Sequence, residues 1–177
     1  LSREDIKKEI TGLTNEEHHV EDSLFLYHDV CTNGIGYADL LFEIHDFDVD
    51  TVHYLGLLKS VLGAVDTENY TYGELFNEVN ARTGGIAYGI EVTDAFRAMF
   101  AVRGKALYPE MDFMFSMIRE VLTTSKLDDT KRLYEIIARV RSRAQASLAS
   151  AGHSTAVLRG ASYASPMAAF QDEMAGI

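Results

Sequence analysis

Ile35-Gly36-Tyr37-Ala38-Asp39-Leu40-Leu41-Phe42-Glu43-Ile44 is the stretch on which the fold turns. Ala38, Leu40, Phe42 and Ile44 fall on one face at period two, and Tyr37, Asp39, Leu41 and Glu43 fall on the other. One face is apolar and the other mixed. That is the pattern of an antiparallel strand with one side on a core and the other partly wet. Thr32-Asn33-Gly34 just before it is a turn signal, and Ser23 to His28 reads as a short partner strand.

Downstream the period changes to that of a helix. From Asp50 to Val65, Val52, Leu55, Leu58 and Leu62 share a face, with Tyr54, Leu57 and Val61 beside it. Thr71 and Glu74 form a capping box: the hydroxyl accepts from an orphan backbone N–H and the carboxylate reaches back. The helix they open carries Leu75, Phe76 and Val79 and stops at Gly84-Gly85. Alternation then returns in Ile86, Tyr88, Ile90 and Val92, and in Phe96, Ala98, Phe100 and Val102, predicting a hairpin across Thr93-Asp94.

The remainder reads as helical. Pro109 suits a first turn, and Met111, Met114, Phe115, Ile118, Val121 and Leu122 make an apolar stripe. Asp128 or Asp129 opens a long helix with Leu133, Ile136, Ile137, Val140, Ala144 and Leu148 inward, ended by Gly152. Ser154 to Ser165 and Pro166 to Ala175 read as two further helices. At the other end, Ser2 to Ile10 reads as a polar helix and Thr14 to Asp22 as an acidic connector. Residues 1–22 are therefore taken as helix and connector. Residues 23–177 are taken as one α+β domain, an antiparallel sheet with helices packed on one face.

Composition is consistent with this. The 177 residues are 47% apolar and 24% charged, enough to bury a core without disulfides or a structural metal. The formal charge of −11 argues against nucleic acid and anionic membrane surfaces as partners, and would attract basic ligands. No apolar run approaches the ~20 residues that span a bilayer. Cys31 stands alone, so it has no bridge to form and reads as a small hydrophobe. The chain begins at Leu1 with no secretory signal and reads as a piece of something longer.

No constellation for catalysis emerges. An inverted zinc motif needs H-x-x-E-H on a helix. His18 and Glu21 have that offset, but Asp22 stands where the second His belongs, in an acidic connector without a third ligand. His28, His45, His53 and His153 are scattered singly, and His45-Asp46 with Asp48 and Asp50 reads as a polar loop and cap. Cys31 with His28 lacks a nucleophile elbow. Gly34-Ile35-Gly36 enters a strand rather than a helix, so it is no dinucleotide loop. Arg132, Arg139, Arg141 and Arg143 lack the interleaved aromatics of a nucleic-acid surface and read as a solvated face, suited to an acidic neighbour. The reading assigns no catalytic, cofactor-binding or metal residues.

Three stretches resemble the presequence-protease branch of the insulinase/pitrilysin-type zinc metallopeptidases. They are Thr32-Asn33-Gly34-Ile35-Gly36-Tyr37-Ala38-Asp39-Leu40; Tyr54-Leu55-Gly56-Leu57-Leu58-Lys59 through Thr67-Glu68-Asn69-Tyr70-Thr71-Tyr72-Gly73-Glu74-Leu75; and Asn77-Glu78-Val79-Asn80 with Thr83-Gly84-Gly85-Ile86. Ser125 to Leu133, and Gly152-His153 through Ala164, resemble the same segment less specifically. The resemblance implies an insulinase/mitochondrial-processing-peptidase-like metallohydrolase domain. It would be a partial third domain of a four-domain clamshell, ending before that domain finishes. The first clamshell domain carries the zinc motif and the last supplies an Arg and a Tyr that grip substrate. Neither set maps onto this chain, so zinc is expected in the parent enzyme and no cofactor in this segment. Tyr70, Tyr72 and Asn80 belong to the family pattern as fold-setting residues. The implied partners are other domains of the same polypeptide and unstructured peptides, with no nucleic acid and no membrane. The implied compartment is cytoplasmic in a bacterium or an organelle matrix in a eukaryote.

Overall fold

A computed structural model describes residues 14–45, 51–92 and 97–175. The chain divides into two compact units, Leu1–Gly34 and Ile35–Ile177. The division falls at Gly34, later in the chain than the expected break after Asp22. The helix expected over Ser2–Ile10 lies outside the described residues.

In the first unit the expected connector is a hairpin. β1 (Glu16–Val20) pairs antiparallel with β2 (Ser23–Tyr27), His18 opposite Phe25 and Val20 opposite Ser23. Glu21, at φ 53°, makes the tight reversal with Asp22. The partner of Ser23–Tyr27 is thus Glu16–Val20, not the strand at Ile35. Glu16-Glu17-His18-His19 gives no apolar alternation to read, because neither face of the hairpin is covered: all its strand residues are exposed.

The second unit holds a three-stranded antiparallel sheet, order β3-β5-β4, made of β3 (Ile35–Glu43), β4 (Ile86–Val92) and β5 (Ala98–Leu107). Leu40, Val102 and Tyr88 stand in one row across it, as do Phe42, Phe100 and Ile90. The hairpin of β4 and β5 is as expected, but its turn (93–96) lies outside the described residues. β5 also runs on past Val102 to Leu107. Gly104 and Ala106 continue its inward face, and a Cβ at Gly104 would meet Met114 Sδ at 2.6 Å. Small residues let a helix approach closely there, at the cost of the apolar signal that marks a strand.

Helices cover the even-numbered face. α1 is Val52–Val61, ending before Gly63 turns the chain at φ 75°, and α2 is Tyr72–Arg82. A short 3₁₀ turn, Tyr108–Glu110 with Pro109, leads into α3 (Met111–Thr124). Met114 and Ile118 of α3 bury against Val102 and Ala106, with Leu40 and Tyr88 packed around them. Leu75 of α2 meets Met117 and Val121 of α3.

α4 (Thr130–Ser162) opens at Asp129, whose side chain accepts from the Arg132 N–H. The stop expected at Gly152 is a kink at Ala151 (φ −131°, ψ 28°), beyond which the helix resumes. A single Gly weakens a helix without ending it unless the backbone turns left-handed. Ile136 of α4 is buried against Val61 and Val65, with Leu133 and Val140 beside it, but Ile137 and Leu148, expected inward, are exposed. α5 (Pro166–Ala175) packs Phe170 against Val52 and Ala98. Asp172, nearly buried, accepts from Arg159 Nε at 3.0 Å and ties α5 to α4. No described helix is long and apolar enough to cross a membrane.

Candidate functional site

The run from Asp66 to Glu74 is a clasp. The Tyr72 N–H donates to Asp66 Oδ1 and the Lys126 N–H to the Asp66 carbonyl, each at 2.8 Å. Thr67 and Tyr70 close a tight loop by the Thr67 N–H donating to the Tyr70 carbonyl at 2.8 Å. Asn69 donates its backbone N–H (3.1 Å) and its side-chain amide (3.0 and 3.2 Å) to the Glu120 carboxylate on α3. The Asn69 amide, followed by the Thr67 side chain, holds the Glu120 carboxyl down at about 2. Thr71 then caps α2: its N–H donates to Glu74 Oε2 at 3.0 Å, while Thr71 Oγ1 accepts from the Glu74 N–H at 3.3 Å. Arg132 lies 3.7 Å over the Tyr72 ring and donates to the Ala64 carbonyl at 2.8 Å. Tyr70, Tyr72 and Asn80 all have structural partners: Tyr70 packs near Leu75, and the Asn80 amide donates to the Phe76 carbonyl at 2.7 Å.

The odd-numbered face of the sheet is open and charged. Arg103 Nε donates to Asp39 Oδ2 on β3 at 3.1 Å, and its Nη2 pairs with Glu91 on β4. Arg97 makes a two-pronged bond to Glu43, 2.7 and 2.6 Å, which holds that carboxyl below its usual range. Lys105, opposite Tyr37, makes no ion pair among the described residues. Its stem lies where a Cβ on Gly84 would go, 2.7 Å from Cγ. A hollow of about 290 Å³ on this face is lined by Tyr37, Asp39, Ala87, Arg103 and Lys105. Through the sheet, on the helix side of β4, a second hollow of about 140 Å³ is lined by Leu75, Phe76, Val79, Ile86 and Tyr88. Burial there pushes the Tyr88 hydroxyl pKa up. Both hollows touch the Gly85–Ile86 start of β4, and sequence reasoning found neither. Their walls come from strands and helices separated by tens of residues, and no local pattern joins them.

The residues weighed for chemistry are not brought together. His18 and His19 sit on β1, where neighbours point to opposite faces. The spacing from His18 to Asp22 therefore does not align two ligands as a helix would. His18 faces Glu16 at 3.6 Å, His45 faces Glu43 at 3.7 Å, and His53 faces Glu173 at 4.0 Å. Among the described residues no three His, Cys, Asp or Glu side chains gather closely enough to hold a metal. Asp46, Asp48 and Asp50 lie outside them. Cys31 is exposed, 3.9 Å from Asn33 Oδ1. A Cβ at Gly36 would meet Met111 Sδ at 2.5 Å, so this glycine serves the packing of β3 on α3. Arg139, Arg141 and Arg143 are solvated, as expected.

An antiparallel sheet backed by helices, with surfaces suited to holding rather than cutting, is the class these observations define. The chain belongs to the peptidase-associated family of the M16 peptidases, subfamily C, whose model matches residues 1–177. Among curated proteins it is 32% identical over 183 residues to Protein HypA of Clostridium perfringens, covering all of this chain and 19% of that protein. It is 28% identical to a mitochondrial presequence protease of Yarrowia lipolytica, over 82% of this chain and 15% of that one. Against a presequence protease of Arabidopsis thaliana it is 26% identical, over 90% of this chain and 15% of that one. The chain thus spans less than a fifth of these relatives. The crystal structure of a Helicobacter pylori protease shares the fold, with TM-score 0.51 and 14% identity over 77% of this chain and 31% of that chain. The chain is a peptidase-associated domain of the presequence-protease branch, as the resemblance implied.

Proposed function

We propose that this chain is a non-catalytic, chamber-forming segment of a zinc metalloendopeptidase that degrades short unstructured peptides. In this reading it is a partial third domain with the insulinase-like fold. Zinc is held by another part of the same polypeptide, and the partners are the neighbouring domains and the enclosed peptide. The observation that carries the reading is the family match over the whole chain, together with relatives of which the chain spans less than a fifth. Catalysis would then require closure of the zinc half against the gripping half, and this segment would supply wall and scaffold. The excess negative charge would draw in basic, targeting-type peptides. Capture by the full enzyme should weaken as salt is raised, and insensitivity to ionic strength would remove that part of the reading. The compartment would be cytoplasmic in a bacterium and an organelle matrix in a eukaryote.

The test is the reading frame from which the chain comes. It should run several times longer and carry H-x-x-E-H upstream, and its purified product should contain stoichiometric zinc and cleave unstructured peptides. A short reading frame without the motif would favour a free-standing inactive interaction domain of the same fold.

A further inference from the structure

We infer that the open edge of β4 accepts an extended peptide as an added strand. One apolar peptide side chain would sit between α2 and β4, and a neighbouring carboxylate would meet Lys105. This rests on the reading above and names a seat for the peptide within it.

β4 is the outer strand of the order β3-β5-β4, with no described strand beyond it. The Lys105 N–H donates to the Gly85 carbonyl, which sets the phase of the ladder. By the alternation of antiparallel pairing, the N–H and C=O groups of Ile86, Tyr88 and Ile90 then point away from β5, towards the open edge. These groups are a template for another strand.

An added strand sends successive side chains to opposite faces, and the two faces of β4 at this point differ. On the helix side lies the apolar hollow of Leu75, Phe76, Val79, Ile86 and Tyr88, and Phe76 is 64% exposed at its rim. On the other side Gly85 and Gly89 leave open space, since a Cβ at either meets nothing within 4 Å. A side chain there can lie flat across β4 towards β5. What it meets is Lys105. Arg97 and Arg103 on the same face are engaged by Glu43, Asp39 and Glu91, which leaves Lys105 as the cation seeking a carboxylate. The complementary ligand is an unstructured peptide in which Asp or Glu adjoins a large apolar residue. Long-range attraction of basic peptides and a local preference for one carboxylate act at different distances and are compatible.

The test titrates the 177-residue chain with a synthetic, unstructured, Ser/Thr-based nonapeptide carrying Leu-Glu at its centre. Binding is read by fluorescence anisotropy, and backbone amides by hydrogen exchange. Protection should appear at Ile86, Tyr88 and Ile90. Methylating alternate peptide nitrogens should weaken binding about tenfold or more, because it removes ladder donors. Lys105→Glu should weaken binding and restore it for a Leu-Lys peptide. Phe76→Ser, at an exposed side chain that folding does not need, should weaken both. Circular dichroism of each variant separates loss of binding from loss of fold. Indifference to N-methylation, protection confined to β1 and β2, or no binding at all would each overturn the inference. So would concentration-dependent protection of β4 without peptide, which would make a second copy the occupant. None of these outcomes touches the parent reading, which is judged by zinc and hydrolysis in the full-length product.

Discussion

Residues 14–34 and residues 35–124 use their apolar side chains in opposite ways. In the hairpin, Val20, Leu24, Phe25, Leu26 and Tyr27 are all exposed, and the acids Glu16, Glu17, Glu21, Asp22 and Asp29 are accompanied by no Lys or Arg. In the sheet and its helices, Val102, Met114, Leu75, Ile118 and Val121 are closed off from water. An isolated two-stranded hairpin is at best marginal in water, whereas three strands under a helical layer can stand alone. The lesson is that apolar content does not locate the stability of this chain; the number of layers over each apolar residue does.

The sharpest way to break that contrast is a matched pair of truncations. Leu75→Ala should cost about 2–5 kcal/mol, while Phe25→Ala should cost less than about 0.5 kcal/mol, both read by urea denaturation. Equal effects would mean the hairpin is part of the cooperative core. Next in size is Gly56→Ala. Its new Cβ would run into the backbone carbonyl of Met174, so α5 should be pushed from α1 at a cost of about 1–3 kcal/mol. Faster amide exchange in α5 than in α3 would localise the damage.

Thr71→Ala removes the hydroxyl half of the capping box and should lower thermal stability by about 1 kcal/mol. Smallest is the pH effect of the clasp. The folded-state pKa of Glu120 lies at about 2, below the usual carboxylate value of 4.5. Its contribution is therefore present above about pH 4.5 and is lost as pH falls towards about 2. The carboxylate is well hydrated, so the contribution is modest. Asn69→Ala removes the largest cause of the shift and should flatten the acid limb of the stability curve between those values, leaving stability at neutral pH only slightly changed.

Strands β3, β4 and β5 were legible because each has one covered face, and covering one face is what writes period two into a sequence. The Thr71–Glu74 box was legible because both of its bonds span three residues. β1 was not, since Glu16-Glu17-His18-His19 has no covered face to impose a pattern. The end of β5 was hidden by Gly104 and Ala106, whose smallness serves the approach of Met114. The Asn69–Glu120 clasp and the seat at Lys105 join residues far apart in the chain, which no local window can see. The Arg103 pairs to Asp39 and Glu91 became visible only once the strand order was known.

The central claim is that this polypeptide holds peptide and does not cut it. The direct measurement incubates the purified chain with an unstructured fluorogenic peptide, with and without a zinc chelator, and follows cleavage by mass spectrometry. Intact peptide in both samples is the expected result. Hydrolysis by the chain alone, abolished by the chelator and lost in His18→Ala, would contradict it.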